Sequence, residues 1–442
     1  MGYQEVPRTI SSPDIGQEKR PESLIHVSND MAFLIRVWDV VEGENRDIID
    51  FDLIPTPEAF KNFMDAVKES LINVPTRPER EHKLSQFQKL QSRLATVSVS
   101  TQSERLQLEF LEAKTQAHIA YLERKLGRLN EPLEYIERTM GVEPIIIPDD
   151  ELLAQREIAA QIFKAIGGEY TRENIDAFRA RTRVEEKAII PTIKENLRIF
   201  LQDLAEFMQI DKKNISPKFE AESVFKPKEY WMFWVDGSWR LFRLQVNKST
   251  RHLPRFSEGK IKAMVAHEIA AHLAQMTSWL NAIKRDELTP VLGLTSVHDP
   301  EQVTSEGIAQ TLPYFIPEMR SHLSVDGEFE LEHEGLRQMA YNNVHIWANT
   351  EHPGEDALIE YVQKFCPSET LEEIRQQIHE RTKNTLKQAY LYSYGIGFYR
   401  HRNYAMQLNT KEKRALSRKT ALSYLSGTIK GYDDILANLT IK

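Results

Sequence analysis

Met264-Val265-Ala266-His267-Glu268-Ile269-Ala270-Ala271-His272-Leu273 is an apolar helical run in which two histidines flank a glutamate. Two imidazoles and an attached carboxylate are what a zinc peptidase needs for a metal site with its general base alongside. The spacing is H-E-x-x-x-H, one residue longer than the common H-E-x-x-H. In a regular α-helix, residues five apart lie about 140° from each other around the axis, against about 40° for residues four apart. Both rings could not then reach one ion. A single π-type turn brings positions five apart back to within about 50°, and such turns cluster at functional sites. The metal reading therefore demands a helix unwound around Ile269 to Ala271. The alternative is an ordinary amphipathic helix carrying two unrelated histidines.

Catalytic zinc commonly takes three protein ligands, so a third donor should follow. Thr304-Ser305-Glu306-Gly307-Ile308-Ala309-Gln310 opens an apolar, helix-patterned segment after a loop containing Pro300. A carboxylate at Glu306, on a second helix crossing the first, has the right chemistry. Together these residues resemble the HExxxH zinc metallopeptidases that include the microtubule-associated tyrosine carboxypeptidases and the bacterial QEGLA-motif proteins. The resemblance covers mainly residues 240 to 315. It implies zinc ligands at His267, His272 and Glu306, one Zn²⁺, and a catalytic base at Glu268. This chain has Ala271 where the family commonly has Thr, and Ser305 where it has Gln.

Such an ion activates water and polarises a carbonyl, and Glu268 is placed to take and return the proton. A second donor for developing charge is expected in Tyr390 to Arg402, with Tyr394 beside Gly395 the first choice and His401 the second. A carboxypeptidase also needs a cation for the substrate's terminal carboxylate. Arg400 and Arg402 are assigned to that role, with Arg251 and Arg255 as other candidates. Arg400 to Lys419 carries seven basic residues against Glu412. That asymmetry could draw acidic peptide tails, although charge runs are more often solvated helix faces.

Strand patterning is confined to residues 230–235 and 239–247, flanking Asp236-Gly237, a two-residue hairpin signal. The tryptophans there read as core, with a substrate wall as the alternative. Residues 243–247 are the candidate edge strand for an extended substrate, and Asn247 is assigned to substrate binding. Most of the remainder is helix-patterned, including a Thr101-x-x-Glu104 capping box, broken by a linker over Gly141 to Asp150, a loop over Lys212 to Lys228 and acidic loops over Ser321 to Glu334 and Asn349 to Asp356. The expected fold class is mainly α (α+β): a zincin-like helical core with a small antiparallel hairpin or sheet beside the active-site helix. Residues 1–24 read as a flexible arm, 25–210 as a helical region and 211–442 as the catalytic region, packed with the preceding one as one body.

The sequence has 442 residues with a net charge of −8, which argues against general nucleic-acid binding. One cysteine, Cys366, excludes an internal disulfide framework and fits a reducing compartment. No secretory signal is visible and no run approaches a membrane span, so a cytoplasmic protein is expected. The chemistry points to a zinc-dependent metallopeptidase. The resemblance alone implies removal of a C-terminal, aromatic residue from a peptide or protein tail. An amino- or dipeptidase with the same metal chemistry, or an inactive helical scaffold, are the alternatives.

Overall fold

The computed structural model describes residues 23–42, 48–55, 76–229, 231–350, 353–408 and 414–426. The arm expected over 1–24 falls outside them except for Ser23 and Leu24, which begin a helix: the Ser23 side chain caps Leu24–Val41. The fold is mainly α with one small sheet. Helix starts follow local chemistry. Thr101 accepts from the Glu104 amide while the Glu104 side chain returns to the Thr101 amide, so Gln102–Lys125 starts where the pattern places it. Pro191 lies in the first turn of Ile189–Met208, where a missing N–H costs little.

Five strands, β1 (Ile49–Asp52), β2 (Phe219–Val224), β3 (Phe233–Ser238), β4 (Phe242–Asn247) and β5 (Leu294–Ser296), lie in the order β2-β4-β3-β1-β5. The sheet is mixed, not antiparallel throughout: β1 runs parallel to β3 and β2 parallel to β4. Two expectations need correction here. The turn falls three residues later than Asp236-Gly237, with Ser238 and Leu241 exchanging backbone hydrogen bonds around Trp239-Arg240. Gly237 instead sits inside the sheet, where a Cβ would come within 2.7 Å of the Phe242 Cα. Glycine there serves close strand approach rather than a turn. Second, β4 is no edge, because β2 covers its free side in register from Phe219↔Phe242 to Val224↔Asn247. The outer strands are β2 and β5.

The core ignores the boundary near residue 210. One cluster joins Phe51, Phe110, Ile147 and the Ile189–Met208 helix to Val265, Ile269, Ile308 and Leu336. Against that core sit four elements that build the site. They are the motif helix (Glu258 to Lys284), the Gln302–Phe315 helix, the long Ser324–Asn349 helix and the Thr385–Gln407 helix. β3 packs beside the motif helix.

Candidate metal centre and its cavity

Ser257 caps the motif helix by accepting from the Lys260 amide. After one regular stretch, Glu258–Met264, the backbone widens into a π-helix over Val265–Leu273 before returning to α at Ala274–Lys284. The loosened turn that H-E-x-x-x-H requires is therefore present, and it is longer than the three residues expected. Ile269, Ala270, Ala271 and Leu273 are buried against neighbouring helices. Packing of this kind can hold a widened turn that local propensity alone does not favour. The consequence is that the His267 and His272 rings share one face, with centroids 4.9 Å apart and planes at 82°.

Glu306 enters from the Gln302–Phe315 helix. Its Oε2 lies 3.4 Å from His267 Nε2 and 3.6 Å from His272 Nε2. That oxygen is buried and accepts no hydrogen bond. Glu268 is the other carboxylate at hand, with Oε1 3.8 Å from His267 Nε2, and it shares with the two histidines a cluster of donor atoms all within 4.8 Å. Tetrahedral zinc with bonds of about 2.1 Å separates its ligand atoms by about 3.4 Å. The Glu306 distances match that separation better than Glu268 does, and an unbonded buried acceptor is what an ion would satisfy. The donor set, two imidazoles and one carboxylate with a second carboxylate adjacent, fits zinc.

Electrostatics separates the two carboxylates. Burial pushes Glu268 well above the usual carboxylate range, and Glu306 and Asp50 push in the same direction. Burial would also raise Glu306, but His272 and His267 outweigh it and hold Glu306 low. Burial lowers His267 towards its neutral form. Without an ion, Glu306 thus favours its anion and Glu268 its protonated form. Among the described residues, no lysine or arginine makes an ion pair with either.

The Glu306 Oε1 atom accepts a hydrogen bond from the Tyr390 hydroxyl at 3.0 Å, and the Tyr390 and Tyr394 hydroxyls lie 2.7 Å apart. Helix crossing makes this possible. A Cβ on Gly397 would come within 2.7 Å of the Val303 carbonyl and 3.0 Å of the Gly307 Cα, so the two helices touch backbone to backbone. Ser305 Oγ sits 3.3 Å from His272 Nδ1, a partner that orients the ring.

A cavity of about 210 Å³ opens over this cluster. Trp231 and Trp234 line it, so they form a wall and not the core expected of them; Trp239 does not. Tyr394 lines it as well. Three other assignments are corrected. Asn247 is fully buried, and its amide staples a loop: Nδ2 donates to the Lys226 and Trp231 carbonyls, while Oδ1 accepts from the Lys226 and Ser249 amides. Arg400 and Arg402 do not line the cavity. On the Tyr394 helix, Arg400 is rotated about 120° from Tyr394 and Arg402 lies about 12 Å further along the axis. His401 is buried between helices with Nδ1 on the Gly397 carbonyl. Lys411, Glu412 and Lys413 lie outside the described residues.

Of the cations that do line the cavity, Arg255 is among the candidates offered by the sequence, whereas Arg179, Lys260 and Arg337 are not. Arg179 pairs with Glu330 through two 2.9 Å bonds, and Lys260 and Arg337 each reach Glu334 at 3.0 Å. Arg255 pairs with Glu373 at 2.6 Å. The only sequence signal of the other three was His333-Glu334-Gly335, which has no second ligand at metal spacing and so reads as no site.

No family model matches the sequence, and no curated protein matches it. Among solved structures, a protein of Colwellia psychrerythraea provisionally described as a lipoprotein aligns with a TM-score of 0.54 at 12% identity. The alignment spans 93% of this chain and 75% of that one. A Shewanella oneidensis protein of unknown function, also provisionally described as a lipoprotein, gives 0.43 at 12% identity over 82% of this chain and 74% of its own. The Colwellia likeness is one of fold alone. Among the described residues, no helix is long and apolar enough to cross a membrane.

Proposed function

We propose that the protein is a zinc-dependent metallopeptidase with one Zn²⁺ held by His267, His272 and Glu306. The observation that carries this reading is the convergence of two imidazole Nε2 atoms on one unbonded, buried Glu306 oxygen across a π-helix. When bound, zinc supplies Lewis-acid polarisation of a peptide carbonyl and activation of water. Glu268, beside that position, would take the proton the water releases and pass it to the leaving amine. Tyr394, freed from Tyr390, donates its hydroxyl to charge developing on the carbonyl oxygen. Trp231 and Trp234 offer an apolar surface to a neighbouring side chain. β3 packs beside the motif helix, as a zincin-like core would require.

The substrate we propose is a peptide or protein C-terminal tail, entered from the cavity mouth; an aromatic last residue rests on the family resemblance. We place the protein in the cytoplasm, a location with which a lone, buried Cys366 is compatible.

Glu268→Gln tests the reading. The purified variant should keep one equivalent of zinc by metal analysis and lose at least about 10²-fold in peptide hydrolysis. His272→Ala should lose both. Full hydrolysis by Glu268→Gln would remove Glu268 from its role, and a wild-type protein that takes up no zinc would remove the metal reading. Peptides blocked at either end, followed by mass, report which terminus is cleaved.

A further inference from the structure

The charged wall of the cavity contains an unusual arrangement around Glu334. Lys260 Nζ donates to its Oε2 at 3.0 Å, and Arg337 Nη1 and Gln338 Nε2 donate to its Oε1 at 3.0 and 2.8 Å. Three donors from two helices thus hold one carboxylate. All four residues line the cavity that holds the His267 cluster. Two of the three donors have anchors besides Glu334. Arg337 is also tied by Nε to Glu369 at 3.1 Å and stacks over Tyr341, and Lys260 lies 4.0 Å from Glu330. Glu330 and Glu369 are buried, whereas the Glu334 side chain remains 30% exposed. The deep carboxylates fix the cations; the outer one is replaceable.

We infer that Lys260, Arg337 and Gln338 form a carboxylate-binding subsite of the cavity, which Glu334 occupies as an internal stand-in until a ligand carboxylate displaces it. The exchange is one carboxylate for another on the same donors, so the charge of the wall is conserved. Glu334 swings out to solvent, which its partial exposure allows. The incoming group is either the terminal carboxylate of a peptide or an acidic side chain. The inference rests on the peptidase reading only in taking the ligand to be a peptide.

Binding tests it in the full chain carrying Glu268→Gln, so that no turnover intervenes. The probes are acetyl-Gly-Phe, acetyl-Gly-Phe-amide and acetyl-Glu-Phe-amide, measured by calorimetry. Glu334→Ala should tighten binding of one carboxylate probe at least tenfold and leave the uncharged amide unchanged. Gain for acetyl-Gly-Phe identifies a terminal carboxylate, and gain for acetyl-Glu-Phe-amide an acidic side chain. Adding Arg337→Gln should cancel the gain. Glu334→Gln, which keeps the side chain's volume, should move in the same direction, and thermal melts confirm that each variant is folded. The proposal is overturned if neither carboxylate probe gains, if the uncharged amide gains equally, or if Arg337→Gln leaves the gain intact. Absence of zinc or of hydrolysis would sink the peptidase reading without altering these binding differences.

Discussion

Two clusters in this protein are built from nearly the same side chains and differ in where their counter-charge comes from. His267, His272, Glu268 and Glu306 form the first. His118, His298, Asp299 and Glu301 form the second, with the His298 Nε2 and His118 Nδ1 atoms 3.0 Å apart. The second contains its own cation: fully buried Lys114 bonds Asp299 and lies 3.2 Å from Glu301. Burial works against the Lys114 charge, and Asp299 and Glu301 outweigh it, so the ammonium persists. Among the described residues, the first cluster has no lysine or arginine on either carboxylate. Buried carboxylates require a counter-charge. One cluster carries it in the chain; in our proposal the other takes it from solution as an ion.

The largest expected effect comes from removing the built-in cation. Lys114→Met leaves Asp299 without its counter-charge and should cost about 3–5 kcal/mol, read from denaturant unfolding. A harmless substitution would mean that Lys114 is not what compensates this cluster. Zinc should do for the first cluster what Lys114 does for the second. At free zinc about 1,000 times the Kd, stabilisation approaches about 4 kcal/mol. Thermal melts with zinc and with chelator should show it, and the difference should vanish in His272→Ala.

A smaller effect sharpens the role of the tyrosine pair. Tyr390→Phe removes the hydrogen bond to Glu306 and should weaken zinc binding about 10–100-fold, measured by competition with a chromogenic chelator. Tyr394→Phe should leave zinc affinity close to wild type and slow hydrolysis. Last is a pH effect in the metal-free protein. Glu268 is raised above its unfolded value, so its contribution is fully present below the ordinary carboxylate range, near about 4.3. It is lost as pH climbs through the raised value. Chelator-treated wild type should therefore lose stability relative to Glu268→Gln as pH rises from about 4.3. Parallel profiles would contradict the assignment.

The comparison also explains which parts of the site were legible. His267, Glu268 and His272 lie in one turn, so their spacing alone states both the chemistry and the backbone distortion required. Glu306 was legible because it opens an apolar helix at a plausible remove. Tyr390 and Tyr394 sit four residues apart on one helix face, yet nothing in their spacing says that Tyr390 reaches Glu306. The error over Arg400 and Arg402 has the same root. Both lie on the Tyr394 helix, but Arg400 is rotated about 120° from Tyr394 and Arg402 lies about 12 Å further along the axis, and neither reaches the cavity.

Secondary structure shows a similar division. Capping at Thr101 and the strand-rich hairpin region were readable because hydrogen-bond donors and acceptors within a few residues decide them. The identity of the edge strand was not, since β2 reaches β4 through a parallel pairing that no local pattern announces.

From its sequence alone, then, the protein could be known as mainly helical, with two imidazoles and a carboxylate needing a widened turn to meet. Those properties depend on periodicity and on residues within one turn of each other. Tertiary packing decided which helix brings Glu306, which tyrosine holds it, which cations face the cavity and which strand lies outermost. Each depends on helices and strands crossing from distant parts of the chain, with Gly307 against Gly397 setting the closest approach, and local chemistry carries no record of those crossings.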